Sequence, residues 1–167
     1  TAAAGVTHTL GTLSIGAQTL TITKGSNATG NTAGVAFGAT TLTDAATFSI
    51  GANSTLTLGA VANGANTATI TGAGNFAQSG VWGNGAGGIT LAAGFLGTAT
   101  LNQANIYSGS TTIDGGILDA NATAALGNGS ATNTLIFNGG TLRASGTITS
   151  PATRTVTLNS TGLIDTN

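Results

Sequence analysis

Few side chains here could carry chemistry, and the acids come first among them. Of the four carboxylates, Asp44, Asp114, Asp119 and Asp165, only Asp114 and Asp119 lie close together, flanking Gly115 and Gly116. Two carboxylates within a few ångström could share acid–base work on a glycosidic bond, as in solenoid enzymes that cleave polysaccharides. That work also needs further Asp, Arg or Lys on the same face, and the chain's cations are only Lys24, Arg143 and Arg154. The two aspartates are therefore expected as solvated turn residues, and the chain as no enzyme. His8, the single histidine, has no cysteine or carboxylate at ligand spacing, so no zinc site is expected. DGGILD at 114–119 lacks the G-G-x-G-x-D nonapeptide of calcium-binding β-rolls, and no G-x-S-x-G elbow occurs. No cofactor is implied.

Composition narrows the classes further. Seven formally charged residues in 167, with a net charge of −1, cannot neutralise a run of phosphates, so neither nucleic acid nor anionic lipid is an expected partner. Net charge near zero removes the repulsion that keeps copies apart, which makes self-association an expectation. The chain is 40% hydrophobic and hence reads as folded rather than disordered. Without cysteine it has no disulfide and no thiolate-held metal. It has no methionine, and its start, TAAAG, is what removal of a secretory signal could leave. No run approaches the roughly 18 to 20 apolar residues of a membrane helix. Five N-x-[ST] matches, at Asn27, Asn53, Asn121, Asn128 and Asn159, are what chance gives in a chain so rich in Asn, Ser and Thr.

The elements that would position these groups are short strands. TLTIT at 19–23, TLTL at 55–58, TATIT at 67–71 and TVTL at 155–158 alternate threonine with aliphatic residues. This is the period of a strand with Leu20, Ile22, Leu56, Leu58, Ile70, Val156 and Leu158 facing inward. Between the runs stand glycine and asparagine, at Gly25, Asn27, Gly30, Gly64 and at 84–88, 115–116, 127–129 and 138–140, which suit tight corners. Pro151, the one proline, suits a corner or an edge. The Ala-rich piece 120–126 could hold a helical turn, closed by Gly127 and Asn128. TLSIGAQTLTI at 12–22 resembles TFSIGANSTLTL at 47–58, an offset of 35 residues with one insertion, which suggests stacked coils of unequal length. The stretch 72–88, which holds the only tryptophan, Trp82, reads as a loop or distorted coil within one domain over 1–167. The fold expected is all-β, a β-solenoid.

One segment carries more. NQANIYSGSTTIDGGILDANATAALGNGSATNTLIFNGGTLRASG, the best match over 101–146, resembles the autotransporter-associated β-strand repeat of bacterial passenger domains. The family pattern falls on Asn105, Tyr107, Ser108, Gly109, Thr111 and Ile113, then Gly116 and Leu118, then Ala125 to Gly127 with Gly129, and finally Asn138, Gly139, Gly140, Thr141 and Leu142. Departures are mild, at Ile106, Ser110 and Ile117. The resemblance implies a right-handed parallel β-helix exported to a bacterial surface or released from it. The family's membrane β-barrel is not in this chain.

Function is then expected from the winding itself. Each coil of a parallel β-helix buries its apolar side chains against the next, so an uncapped end leaves unpaired strand edges and an open core. Neither terminus shows a capping helix or a charged cap, and TGLIDTN is strand-like to the end. The expected protein is an extracellular structural solenoid whose copies associate, end to end into a fibre or as a surface layer. Core residues Ile113, Leu118, Leu135, Phe137 and Leu142 and the corner glycines would carry it. The alternative is an adhesin segment whose lateral face meets cell-surface or matrix polysaccharide, though seven aromatic residues in all support it thinly. The T-x-T runs also suggest an ice-binding array, which needs threonines in register; the 35-residue offset with its insertion argues against that.

Overall fold

The computed structural model describes residues 5–28 and 32–167, so Gly30 and most of the TAAAG start lie outside the described residues. Threonine and β-branched aliphatics dominate the strands because a branched Cβ packs well on a pleated surface and loses χ1 freedom in a helix. The first turn of the winding holds β1 (Thr7–Leu10), β2 (Leu13–Ile15) and β3 (Thr19–Ile22); the second holds β4 (Ala33–Phe37), β5 (Thr40–Leu42) and β6 (Ala46–Ile50). The third adds β7 (Ser54–Leu58), β8 (Val61–Ala62) and β9 (Ala68–Gly72). Next come β10 (Asn75–Gln78) with β11 (Ile89–Phe95), then β12 (Thr98–Leu101) with β13 (Thr111–Ile113). The final turns contain β14 (Ile117–Ala120) with β15 (Leu135–Phe137), β16 (Thr141–Ala144) with β17 (Val156–Leu158), and β18 (Leu163–Asp165). A 3₁₀ turn at Thr123–Leu126, closed by Gly127, is the helical piece the alanines suggested.

Among the described residues all strand pairs are parallel, and they form an eight-stranded, a seven-stranded and a three-stranded sheet. We call these the first, third and second faces, after the order in which the chain meets them. The protein is a parallel β-solenoid. Its interior is filled by columns of side chains in register. On the first face the inward column runs His8, Val35, Leu56, Phe76, Ala99, Leu118, Leu142, Ile164. On the third it runs Leu20, Phe48, Ile70, Leu91, Ile113, Phe137, Leu158. Removing one such side chain fully from water is worth about 1.5–3 kcal/mol, so the columns are the main cohesive element.

Two sequence expectations change, and one left open between loop and distorted coil is decided. The 35-residue offset is not the winding: Thr19 lies beside Thr47, 28 residues on, while Ala99 lies beside Leu118, only 19 on. The two similar segments form β2–β3 and β6–β7, which turn different corners of the solenoid, so their likeness reflects a reusable strand–corner–strand unit. The stretch 72–88 is a coil and not a loop, since β10 pairs with both β7 and β12, and Trp82 bridges to Val61 and packs edge-on against Phe76 with ring centroids 5.5 Å apart. Val156 and Leu158 hold the inward phase but are 47% and 62% exposed, because no described coil lies above them. Leu20, at the opposite end, is half-buried.

Candidate functional site

The segment between β12 and β13 replaces a strand on the second face with a polar seam. Asn105 is buried there, and every hydrogen-bonding group of its amide is used. Its Oδ1 accepts the backbone N–H of Trp82 at 2.8 Å and a bond from Gln78 Nε2. Its Nδ2 donates to Ala125 O at 2.8 Å and to Gln78 Oε1 at 3.3 Å. One side chain thereby ties the coil below, which carries Gln78 and Trp82, to the 3₁₀ turn above. Gln78 itself sits in an inward column between Leu58 and Leu101-bearing strands, and its amide is tolerable in that position because Asn105 pairs with it.

Two residues on, Tyr107 is fully buried, and its hydroxyl shares a 2.7 Å bond with the Thr111 hydroxyl, which also reaches Leu126 O at 3.5 Å. Burial pushes the phenol up to about 12, against smaller opposing effects of the Thr111 bond and the Arg154 charge. In the unfolded chain the phenol ionises near 10.0, so stability is full below that pH and is lost as pH rises towards about 12. Tyr107→Phe is expected to remove this alkaline loss, about 2–3 kcal/mol for a shift of this size. Because Tyr107 is the only tyrosine, ultraviolet difference absorbance against pH reads it directly, beside denaturant midpoints of both proteins.

The remaining motif residues pack the core and the corners. Ile113, Leu118 and Phe137 are wholly buried, and Leu135 and Leu142 nearly so. A Cβ at Gly109 would strike the Ala86–Gly87 backbone, and one at Gly140 would strike Ile113 and Gly115, so adjacent coils could not approach. Gly116 and Gly139 take positive φ of 62° and 152° at the corner before β14 and the corner before β16.

Sequence reasoning missed a second seam one corner away. Asn133 is buried, donates to Gly109 O at 2.7 Å, and accepts from Gly129 N–H at 3.0 Å and from Arg154 Nε and Nη2 at 3.1 and 2.7 Å. Arg154 Nη2 also reaches Leu126 O and Gly127 O, so a nearly buried guanidinium covers the carbonyls at this corner. Burial pulls its pKa below the ordinary arginine value, partly offset by Tyr107. The readable signal was spacing: Arg154 stands 21 residues beyond Asn133, the distance between Leu135 and its partner Val156.

The two aspartates are not a pair. Asp114 lies at the corner after β13 and accepts from Asn138 Nδ2 at 2.6 Å, and Asn159 in turn donates to Asn138 at 3.0 Å. Asp119, against expectation, is a strand residue of β14, three-quarters or more shielded, with its Oδ2 2.6 Å from Arg143 Nη2 in the strand above. Burial alone would raise its carboxyl; the Ser145 hydroxyl and the Arg143 guanidinium outweigh that and hold it below the ordinary aspartate value. Its Oδ1 has no hydrogen-bond partner, so Ser145 acts as a nearby dipole rather than through a formed bond. Among the described residues no three His, Cys, Asp or Glu come together in a way that could hold a metal ion. No helix among them is long and apolar enough to cross a membrane.

What remains are the two ends. Above the last turn, Leu135, Leu142, Ala144, Ile148, Val156 and Ile164 line a depression of about 660 Å³. Below the first, Val6, His8, Ile22 and Val35 line one of about 370 Å³. Among the described residues β17 and β18 are the outermost strands at one end, as β3 and β1 are at the other. Comparison of the chain with family models, with curated proteins and with solved structures finds no match in any of the three. The class that the geometry defines is a parallel β-solenoid with an apolar, strand-edged surface at each end.

Proposed function

We propose that the chain is an extracellular structural protein whose copies stack end to end into a fibre or surface layer. The observation that carries this reading is the upper end, where Val156, Leu158 and Ile164 continue the inward columns while 47%, 62% and 55% exposed. A second copy placed head to tail would continue both columns and pair the free edges of β17 and β18 in the same parallel sense. The lower end offers a recess of its own, lined by Val6, Ile22 and Val35 together with His8, which stands at the foot of the first column. Export rests on the resemblance of 101–146 to bacterial passenger repeats. Lateral adhesion gains little, since Trp82 and Tyr107 are wholly buried and offer no stacking platform.

Electron microscopy of the purified chain tests the proposal. Unbranched filaments of uniform width are expected, and monodisperse particles at high concentration would overturn it. The double substitution Leu158→Asp with Ile164→Asp buries two unpaired charges in the stacked interface and should raise the concentration needed for filaments roughly tenfold or more.

A further inference from the structure

The third face presents an ordered array that the irregular coil lengths conceal. Extra residues are taken up in the corners, and the strands stay in register: Thr19, Thr47, Thr69, Thr90 and Thr112 form one unbroken outward column across β3, β6, β9, β11 and β13. Beside it Thr21, Ser49 and Thr71 form a second. Ile136 interrupts the first column at β15, and Thr157 follows it on β17. The five strands carry no ionisable side chain, and their two phenylalanines, Phe48 and Phe95, point inward and are buried. The expectation that register would fail is thus overturned.

We propose that this face binds the surface of crystalline water. Hydroxyls in a column repeat at the strand spacing of about 4.8 Å, and neighbouring columns stand about 6.6 Å apart, two residues along a strand. These are fixed distances, because threonine on a strand is stiff at χ1 and the sheet is braced by the columns behind it. Each threonine pairs a hydroxyl, which can join a water lattice, with a methyl that orders the water beside it; Ser49 supplies the hydroxyl alone. Water held on such a grid is already arranged when it meets the lattice, so docking costs little further ordering. Absence of charge fits an uncharged lattice and disfavours ionic ligands, and absence of an outward aromatic disfavours sugar rings. The first face is the internal contrast: its outward column Thr55, Asn75, Thr98, Ile117 is mixed, and Asp119 with Arg143 puts charge in the next one.

The proposal is independent of end-to-end stacking. Single ice crystals grown with the purified chain should become faceted, with a gap between melting and growth temperatures. Thr69→Lys, at the centre of the array, should abolish both effects while leaving the thermal melting curve unchanged, and Thr57→Lys on the first face should leave both intact. If Thr69→Lys does not fold, Thr112→Lys at the array's edge takes its place and should narrow the gap. Round crystals with the unaltered chain, or equal loss with Thr57→Lys, overturn the proposal. In the Leu158→Asp/Ile164→Asp protein, faceting without filaments supports a property of the face, whereas faceting that disappears with the filaments overturns it.

Discussion

Asn105→Leu is expected to lower stability by about 3–5 kcal/mol, the sum of several buried polar groups left without partners at roughly 1–3 kcal/mol each. Leucine keeps the branched outline of asparagine but is the bulkier side chain, so crowding adds to a loss that is chiefly polar. It comes from the Trp82 N–H, the Ala125 carbonyl and the Gln78 amide, all of which turn to Asn105 in the native interior. Water cannot replace it, because Gln78 and Asn105 are both closed off from solvent. The denaturant midpoint should fall with an unchanged slope, as two-state unfolding of the same surface requires. The double variant Gln78→Leu/Asn105→Leu separates the causes: it removes the amide pair together and should recover part of the loss. The Trp82 N–H stays unpaired in it, so recovery is incomplete. Full recovery would show that the amide pair, and not the tie between coils, is what Asn105 supplies.

Much of this arrangement was readable in the residues. Alternation of threonine with aliphatics gave the strands, and it gave their phase too: Leu56, Leu58 and Ile70 point inward as expected. The segment 105–142 reads as a unit for a physical reason, since Asn105, Tyr107 and Thr111 are bonded side chains in one corner and Gly109 and Gly140 are points of coil contact. What was hidden is what depends on stacking. Register cannot be seen when whole turns range from 19 to 28 residues and the corners absorb the difference, and so the threonine columns appeared only with the fold. Phase also does not give burial. Val156 obeys the same alternation as Leu135 directly below it, yet differs in exposure because burial needs a coil above. Gln78 was a legible exception: in NFAQ it shares the phase of Phe76, and a polar residue in that phase calls for a buried partner. Arg154, by contrast, looks like an ordinary surface charge until the spacing of the last coils is known.

Phe137 and Leu158 occupy successive places in one inward column, and replacing each by alanine should give results that differ in kind. Phe137 is wholly enclosed, so Phe137→Ala removes a ring from a packed column and should cost about 3–5 kcal/mol at any protein concentration. Leu158 is 62% exposed in the isolated chain, where Leu158→Ala should cost less than about 1 kcal/mol, since little apolar surface is removed from contact. Stacking changes that figure. If a second copy covers the end, Leu158 becomes as enclosed as Phe137, and its truncation then costs about 2–5 kcal/mol, the range of a buried leucine. Association also stabilises the folded form by mass action, so the melting temperature of the unaltered chain should rise with protein concentration. Leu158→Ala should flatten that rise and leave the dilute limit nearly unchanged, whereas Phe137→Ala should lower the whole curve. Melting across a wide dilution series measures both. A concentration-independent curve for the unaltered chain would mean that nothing covers the end in solution, and the stacking proposal would fall with it.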